Sequence, residues 1–260
     1  MNSFMKMGLV AAILLFLAGV VALLAKVLRV RPAPPAEDSL GKELPWALLV
    51  VFVWAGLSMA FVGTLLRFKT SYFSSFGDVD SYGWGWLAFN SILAVVLLGP
   101  MAAHIGKRRL GRAALCLSPP YLSRGLLIGI VVGTLWVLIN TFDLRFFRGL
   151  AARSAFALRA SIYFCIVALS EELLFRGYLQ RIAVARLGAV KGIVVSALAF
   201  ALAHFVKAGL FSSQATAAPL EALILTMVVG LYLGYAAYRT GNIAAPIVIH
   251  LFVDLAGHID

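Results

Sequence analysis

Long apolar runs broken by short polar connectors dominate the chain. Windows of about 20 apolar residues, the length needed for a helix to cross a bilayer, recur at residues 7–27, 46–66, 84–104, 125–139, 155–179, 192–205, 219–238 and 243–256. This pattern predicts an all-α, polytopic membrane protein of about eight transmembrane helices, the fourth and sixth of them short or interrupted. Residues 31–45 (RPAPPAEDSLGKELP) form a Pro-rich polar connector through which helix is not expected to persist, and residues 71–83 form a second polar loop rich in aromatic, Gly and Asp residues. No connector is long enough for a soluble domain and no internal repeat is visible, so residues 1–260 are expected to form a single integral membrane domain.

Composition sharpens this picture. Hydrophobic residues make up 62% of the 260 and charged residues 13%, against about 25% charged in soluble domains. The 22 Lys and Arg exceed the 11 Asp and Glu to give +11, but the basic residues fall in short clusters between the apolar runs. They read as topology signals and contacts to lipid headgroups, with no support for a nucleic-acid partner. The connectors after the odd-numbered spans carry the basic excess (KVLRVR and Lys42, KRRLGR and Arg124, then Arg181, Arg186, Lys191 and Arg239), whereas the other side holds mainly Arg145, Arg148, Arg153 and Arg159. The first set is therefore expected in the cytoplasm and both termini outside, in a multi-pass protein of the plasma (inner) membrane. The first run is longer than the h-region of about 7–15 residues in a signal peptide and is read as a transmembrane helix. Cys116 and Cys165, the only cysteines, imply no disulfide framework and are read as small apolar residues, Cys165 deep in a helix. Gly125, Gly129 and Gly133, and likewise Gly230 and Gly234, recur every four residues, which puts each set on one helix face where a neighbour can approach closely.

Against this apolar background three polar clusters stand out. In the stretch 170–180 (SEELLFRGYLQ), two glutamates and an arginine interrupt the fifth span. Ionisable side chains inside a membrane helix are costly and mark functional sites. At about 100° per residue, Glu172 and Arg176 share a face and can pair, which leaves Glu171 for proton chemistry. In AFALAHF, Phe200 and His204 lie one turn apart. In RTGNIAAPIVIHLFVDLAGH, His250 and Asp254 are again four apart, so that the aspartate is expected to orient the imidazole.

Depth links the clusters. Glu171 precedes Arg181 by ten residues, His204 follows Lys191 by thirteen, and His250 follows Gly241 by nine. At 1.5 Å per residue these are roughly 15, 20 and 14 Å from one membrane face. The three can meet in one cavity within the helix bundle, where a carboxylate and two imidazoles, shielded from water, are equipped to activate a water and stabilise an oxyanion.

The three motifs resemble those of a known family. EELLFR corresponds to E-E-x-x-x-R, FALAH to F-x-x-x-H and HLFVD to H-x-x-x-N/D, in the order found in the CAAX-protease and bacteriocin-processing (CPBP, or Abi) intramembrane glutamic endopeptidases. The resemblance covers about residues 155–257 and implies an eight-helix protein that cleaves peptide bonds of membrane-anchored or prenylated substrates. By that likeness Glu171 activates water together with His204, Glu172 and Arg176 support the site with Phe200, and His250 and Asp254 face the oxyanion. Asp254 departs from the commoner Asn, and an ionised aspartate has no hydrogen to donate.

Other intramembrane protease chemistries lack their residues here, since the chain has no HExxH, no GxGD and no Gly-x-Ser-x-Gly. Glu171, His204 and His250 could alternatively hold Zn²⁺ with an open fourth position; following the resemblance, catalysis without a metal or other cofactor is expected. Buried Glu, His and Asp also line proton pathways, so a proton-coupled transporter, with Glu221 as a pathway residue, is the rival from another class. A third alternative is a proteolytically inactive binding or immunity protein.

Overall fold

The computed structural model describes residues 3–32, 38–67, 84–110, 115, 121–141, 154–211 and 217–259. The second polar loop, Cys116 and the arginines at 145, 148 and 153 lie outside the described residues. Every regular element among the described residues is helical: α1 (Ser3–Val27), α2 (Asp38–Gly41), α3 (Leu44–Arg67), α4 (Trp84–Leu97), α5 (Gly99–Arg108), α6 (Leu122–Thr141), α7 (Ser154–Glu172), a π-helical segment (Leu173–Leu179), α8 (Gln180–Leu187), α9 (Ala189–Phe211), α10 (Ala217–Thr240) and α11 (Ala244–Ile259).

Several expected spans change shape. The third is broken, because Pro100 has no N–H to give and its ring crowds the preceding turn; α4 ends at Leu97 and α5 begins at Gly99. The fifth becomes α7, the π-helical segment and α8, ending where Gly188 turns to φ 82°. The short fourth and sixth spans are full helices, α6 and α9. The Pro-rich connector carries one helical turn, α2, and Pro45 sits in the first turn of α3, where a missing N–H costs nothing.

Three helical stretches among the described residues are long and apolar enough to cross a membrane, Met7–Val27, Leu122–Ile139 and Leu220–Thr240. Shorter apolar helices run over Leu44–Ala60, Ala189–Phe205 and Ala244–Ala256. Large apolar side chains such as Leu15, Phe16, Phe52, Val95 and Val190 point outward, a surface suited to lipid tails. Cys165 is exposed on that surface and does not lie deep in the packing. The protein is an integral membrane protein.

Two apolar clusters build the packing, and the second includes the π-helical segment. In one, Leu14, Leu17, Val21 and Ala25 of α1 pack with Ile128 and Val132 of α6, Leu233 and Ala236 of α10, and Ala245 and Ile249 of α11. In the other, Ala47 and Val50 of α3 and Met101 of α5 pack against Leu174, Phe175, Tyr178 and Leu179 of the π-helical segment, Ile182 of α8 and Phe200 of α9. The glycine stripe on α6 seats α11. A Cβ at Gly129 would lie 2.7 Å from the Val248 Cβ and 2.9 Å from the Ala245 carbonyl oxygen, and one at Gly133 2.8 Å from the Phe252 ring. Only glycine allows this approach, and α11 carries His250.

Candidate active site

Glu171 and Glu172 are the last two residues of α7. The hydrogen-bond ladder widens there: the Gln180 amide donates to the Phe175 carbonyl, five residues back. Such π segments are rare and occur often at functional sites. This one is tied to its neighbours by side chains. The Ser196 hydroxyl of α9 donates to the Phe175 carbonyl at 2.8 Å. Arg176 Nη2 reaches the Gly230 carbonyl of α10 at 3.4 Å, and Gln180 Nε2 donates to the Gly234 carbonyl at 2.9 Å. Arg176 and Gln180 are four apart, as are their two glycine acceptors. The α10 stripe makes room for them: a Cβ at Gly234 would lie 2.6 Å from Gln180 Oε1, and one at Gly230 3.2 Å from Ala197 Cα.

The expected Glu172–Arg176 pair is present, Nη1 donating to Oε1 at 2.8 Å with both side chains fully buried. Arg176 also stacks on the Phe200 ring at 4.2 Å, a contact strengthened by the burial of both side chains. Glu172 Oε1 takes a second bond, from His250 Nδ1 at 2.8 Å. The expected approach of Asp254 to the ring is present as well, as an ion pair. Its Oδ2 lies 3.7 Å from His250 Nε2, beyond a direct hydrogen bond, so Glu172 holds the imidazole by a hydrogen bond and Asp254 faces its other nitrogen by charge. Spacing of four residues brings Asp254 near the ring, but the deeper carboxylate holds the nitrogen that faces it.

Glu171, His204 and His250 do converge. Glu171 Oε2 is 3.6 Å from His204 Nε2 and 3.9 Å from His250 Nε2. Each ring has its Nδ1 engaged, His204 by the Phe200 carbonyl at 2.9 Å and His250 by Glu172. A carbonyl or carboxylate acceptor fixes hydrogen on Nδ1, so both imidazoles turn Nε2 toward one carboxylate oxygen. These separations exceed a direct hydrogen bond and suit bridging by one small molecule. Phe200 lies 4.3 Å from the His204 ring and 6.0 Å from that of His250, forming an apolar floor. Glu221 belongs to the first turns of α10, nine residues before Gly230 and so roughly 13 Å away along the axis. Among the described residues, no three His, Cys, Asp or Glu side chains are arranged to hold a metal ion.

A second polar cluster gave no sign in the sequence. Glu43 Oε2 lies 3.1 Å from His104 Nε2 and 3.4 Å from Arg108 Nε, and His104 Nδ1 is hydrogen-bonded to the Tyr178 hydroxyl. Its members come from three distant stretches, so no local spacing could reveal it. Ser196 and Gln180 were likewise missed, being ordinary polar residues until their acceptors are known. Asn242 had a recognisable cue, lying just before α11, where its Oδ1 accepts from the Ala244 amide at 2.8 Å in an Asx turn that leads into the helix.

Comparison with curated proteins and with solved structures finds no match. A family model does match: residues 153–256 correspond to the type II CAAX prenyl endopeptidases described as Rce1-like. The matched stretch contains Glu171, the two imidazoles of His204 and His250 that approach its carboxylate oxygen, and Glu172 with Arg176 behind them. The match over residues 153–256 makes this part of the chain similar to the Rce1-like type II CAAX prenyl endopeptidases and supports a protease of that family.

Proposed function

We propose that this protein hydrolyses a peptide bond of a membrane-anchored or prenylated protein or peptide, using Glu171 as general base inside the bilayer. The observation that carries this reading is the approach of two imidazole Nε2 atoms to a single buried oxygen, Glu171 Oε2, at 3.6 and 3.9 Å. Glu171 takes a proton from a water that His204 Nε2 also holds. The resulting hydroxide attacks the scissile carbonyl carbon, and His250, as an imidazolium between Glu172 and Asp254, donates from Nε2 to the oxyanion. Collapse of the tetrahedral intermediate breaks the C–N bond, and the proton on Glu171 passes to the leaving amine. Glu172 and Arg176 keep His250 in register, Phe200 supports both imidazoles, and no metal takes part.

Around this site we place about eight spans in a single membrane domain over residues 1–260, with a catalytic core over 155–257 and the odd-numbered connectors in the cytoplasm of a plasma-membrane protein. The family match supports a CAAX-type substrate, and whether the prenyl group itself is required is a matter for assay.

Glu171→Gln keeps the shape and removes the base. Positioned acid–base catalysis contributes about 10²–10⁴-fold, so turnover should fall by that factor with substrate binding little changed. The assay is cleavage, in reconstituted vesicles, of an S-prenylated CAAX peptide and of the same peptide anchored by an acyl chain. Wild-type turnover in Glu171→Gln, or no cleavage of either peptide by the wild type, would sink the mechanism. Proton-coupled solute uptake lost in the same variant would favour a transporter.

A further inference from the structure

The π-helical segment that follows the two glutamates is held from two sides. On one, Arg176, Gln180 and Ser196 tie it to α9 and α10, all within the matched residues 153–256. On the other, its bonds run to residues outside that match. The Tyr178 side chain is fully buried, and its hydroxyl is bonded to His104 on α5, whose other nitrogen meets Glu43 at the start of α3. Next to it, Gly177 is packed so closely that a Cβ would stand 2.8 Å from the Leu115 carbonyl oxygen. The N-terminal half thus grips the same turn by side chain and by backbone.

We propose that Tyr178, His104 and Glu43 form a clamp that positions Glu171 for catalysis. A π segment holds one residue more per hydrogen-bonded ring than the α-helix on either side. Without external bonds it relaxes toward the α register, and a shift of one residue turns α7 by about 100° relative to α8. That rotation takes Glu171 away from His204 and His250. Tyr178 is therefore a positioning residue, acting through the segment that carries the carboxylates without touching substrate. The role rests on the reading of Glu171 as general base, and extends it to residues that no motif of the site contains.

Tyr178→Phe removes only the hydroxyl. With the protein in vesicles and the S-prenylated CAAX peptide as probe, kcat should fall about tenfold while KM stays within about twofold, since losing one buried hydrogen bond shifts the balance between the π and α registers by about that factor. His104→Ala should behave alike. His104→Gln, which can accept from Tyr178 and donate to Glu43, should recover most of the turnover. Combined with Glu171→Gln, Tyr178→Phe should add nothing, because there is no base left to misplace. Wild-type kcat in Tyr178→Phe, alongside a strong loss in Glu171→Gln, overturns the clamp and leaves the general base standing. So does a His104→Gln variant as slow as His104→Ala, or a further tenfold loss in the double variant, either of which marks mere structural damage. Wild-type turnover in Glu171→Gln overturns both readings.

Discussion

Replacing Arg176 by Met tests how the buried charges support one another. The guanidinium is fully enclosed, donates to Glu172 at 2.8 Å, leans on the Gly230 carbonyl at 3.4 Å and stacks on Phe200 at 4.2 Å. Methionine fills much of the volume but supplies none of the charge. Breaking a buried pair by removing one partner costs about 3–5 kcal/mol, because the other charge stays behind without compensation. His250 remains bonded to Glu172 at 2.8 Å, which puts the expected loss at the lower end, about 3 kcal/mol, or roughly two decades in the folding equilibrium. Denaturant titration of the detergent-solubilised protein reads this loss, and cleavage of the S-prenylated peptide reads its effect on the site. The double variant Glu172→Gln with Arg176→Met should regain part of the stability, since the carboxylate stranded by the single change is gone, while turnover stays low because His250 has lost its hydrogen-bond acceptor. If Arg176→Met unfolds at the wild-type midpoint with full turnover, the buried pair supports neither fold nor site.

Gly129→Ala should lower turnover at least about tenfold, because its Cβ would meet Val248 and the Ala245 backbone on the helix that carries His250, whereas Gly19→Ala, with open space around its Cβ, should be silent; cleavage assays on the two variants compare them directly. Asp254→Asn should keep substantial activity, since Glu172 already orients His250 and an amide can donate where an ionised aspartate cannot; a loss as large as that of Glu171→Gln would assign the carboxylate an essential role. Dialysis against a strong chelator should leave cleavage intact, and loss reversed by stoichiometric Zn²⁺, with the metal found by elemental analysis, would assign Glu171, His204 and His250 as ligands.

The parts of the site written in helical spacing were legible. Glu172 with Arg176 and Phe200 with His204 lie four apart, and any straight helix puts such residues on one face. That spacing was less informative for His250 and Asp254, because proximity does not tell which nitrogen an acceptor engages, and the acceptor came from a helix 78 residues away in sequence. The π turn was invisible because an extra residue in a hydrogen-bonded ring leaves no trace in the order of apolar side chains. His104, 74 residues from Tyr178 and 61 from Glu43, offered only a lone imidazole beside a basic cluster. The break in the third span was within reach, since Gly99-Pro100 interrupts an otherwise apolar run. The membrane class and the all-helical fold followed from run length alone; which helices touch did not, except where glycine stripes marked close approach.

The Glu172–Arg176 pair has a further consequence for biogenesis. A membrane chain is delivered in order, and His250 follows Arg176 by 74 residues, which at about 5–20 residues per second is about 4–15 s of synthesis. During that interval the segment bearing two acids and a base enters the bilayer without the helices that later surround it. Because the arginine and one glutamate sit within hydrogen-bond reach on the same stretch of chain, they neutralise each other from the outset, and the lipid meets one net charge where it would otherwise meet three separate ones. The ion pair is thus available at insertion, while the imidazole that shares its carboxylate arrives 74 residues later and only then joins the site.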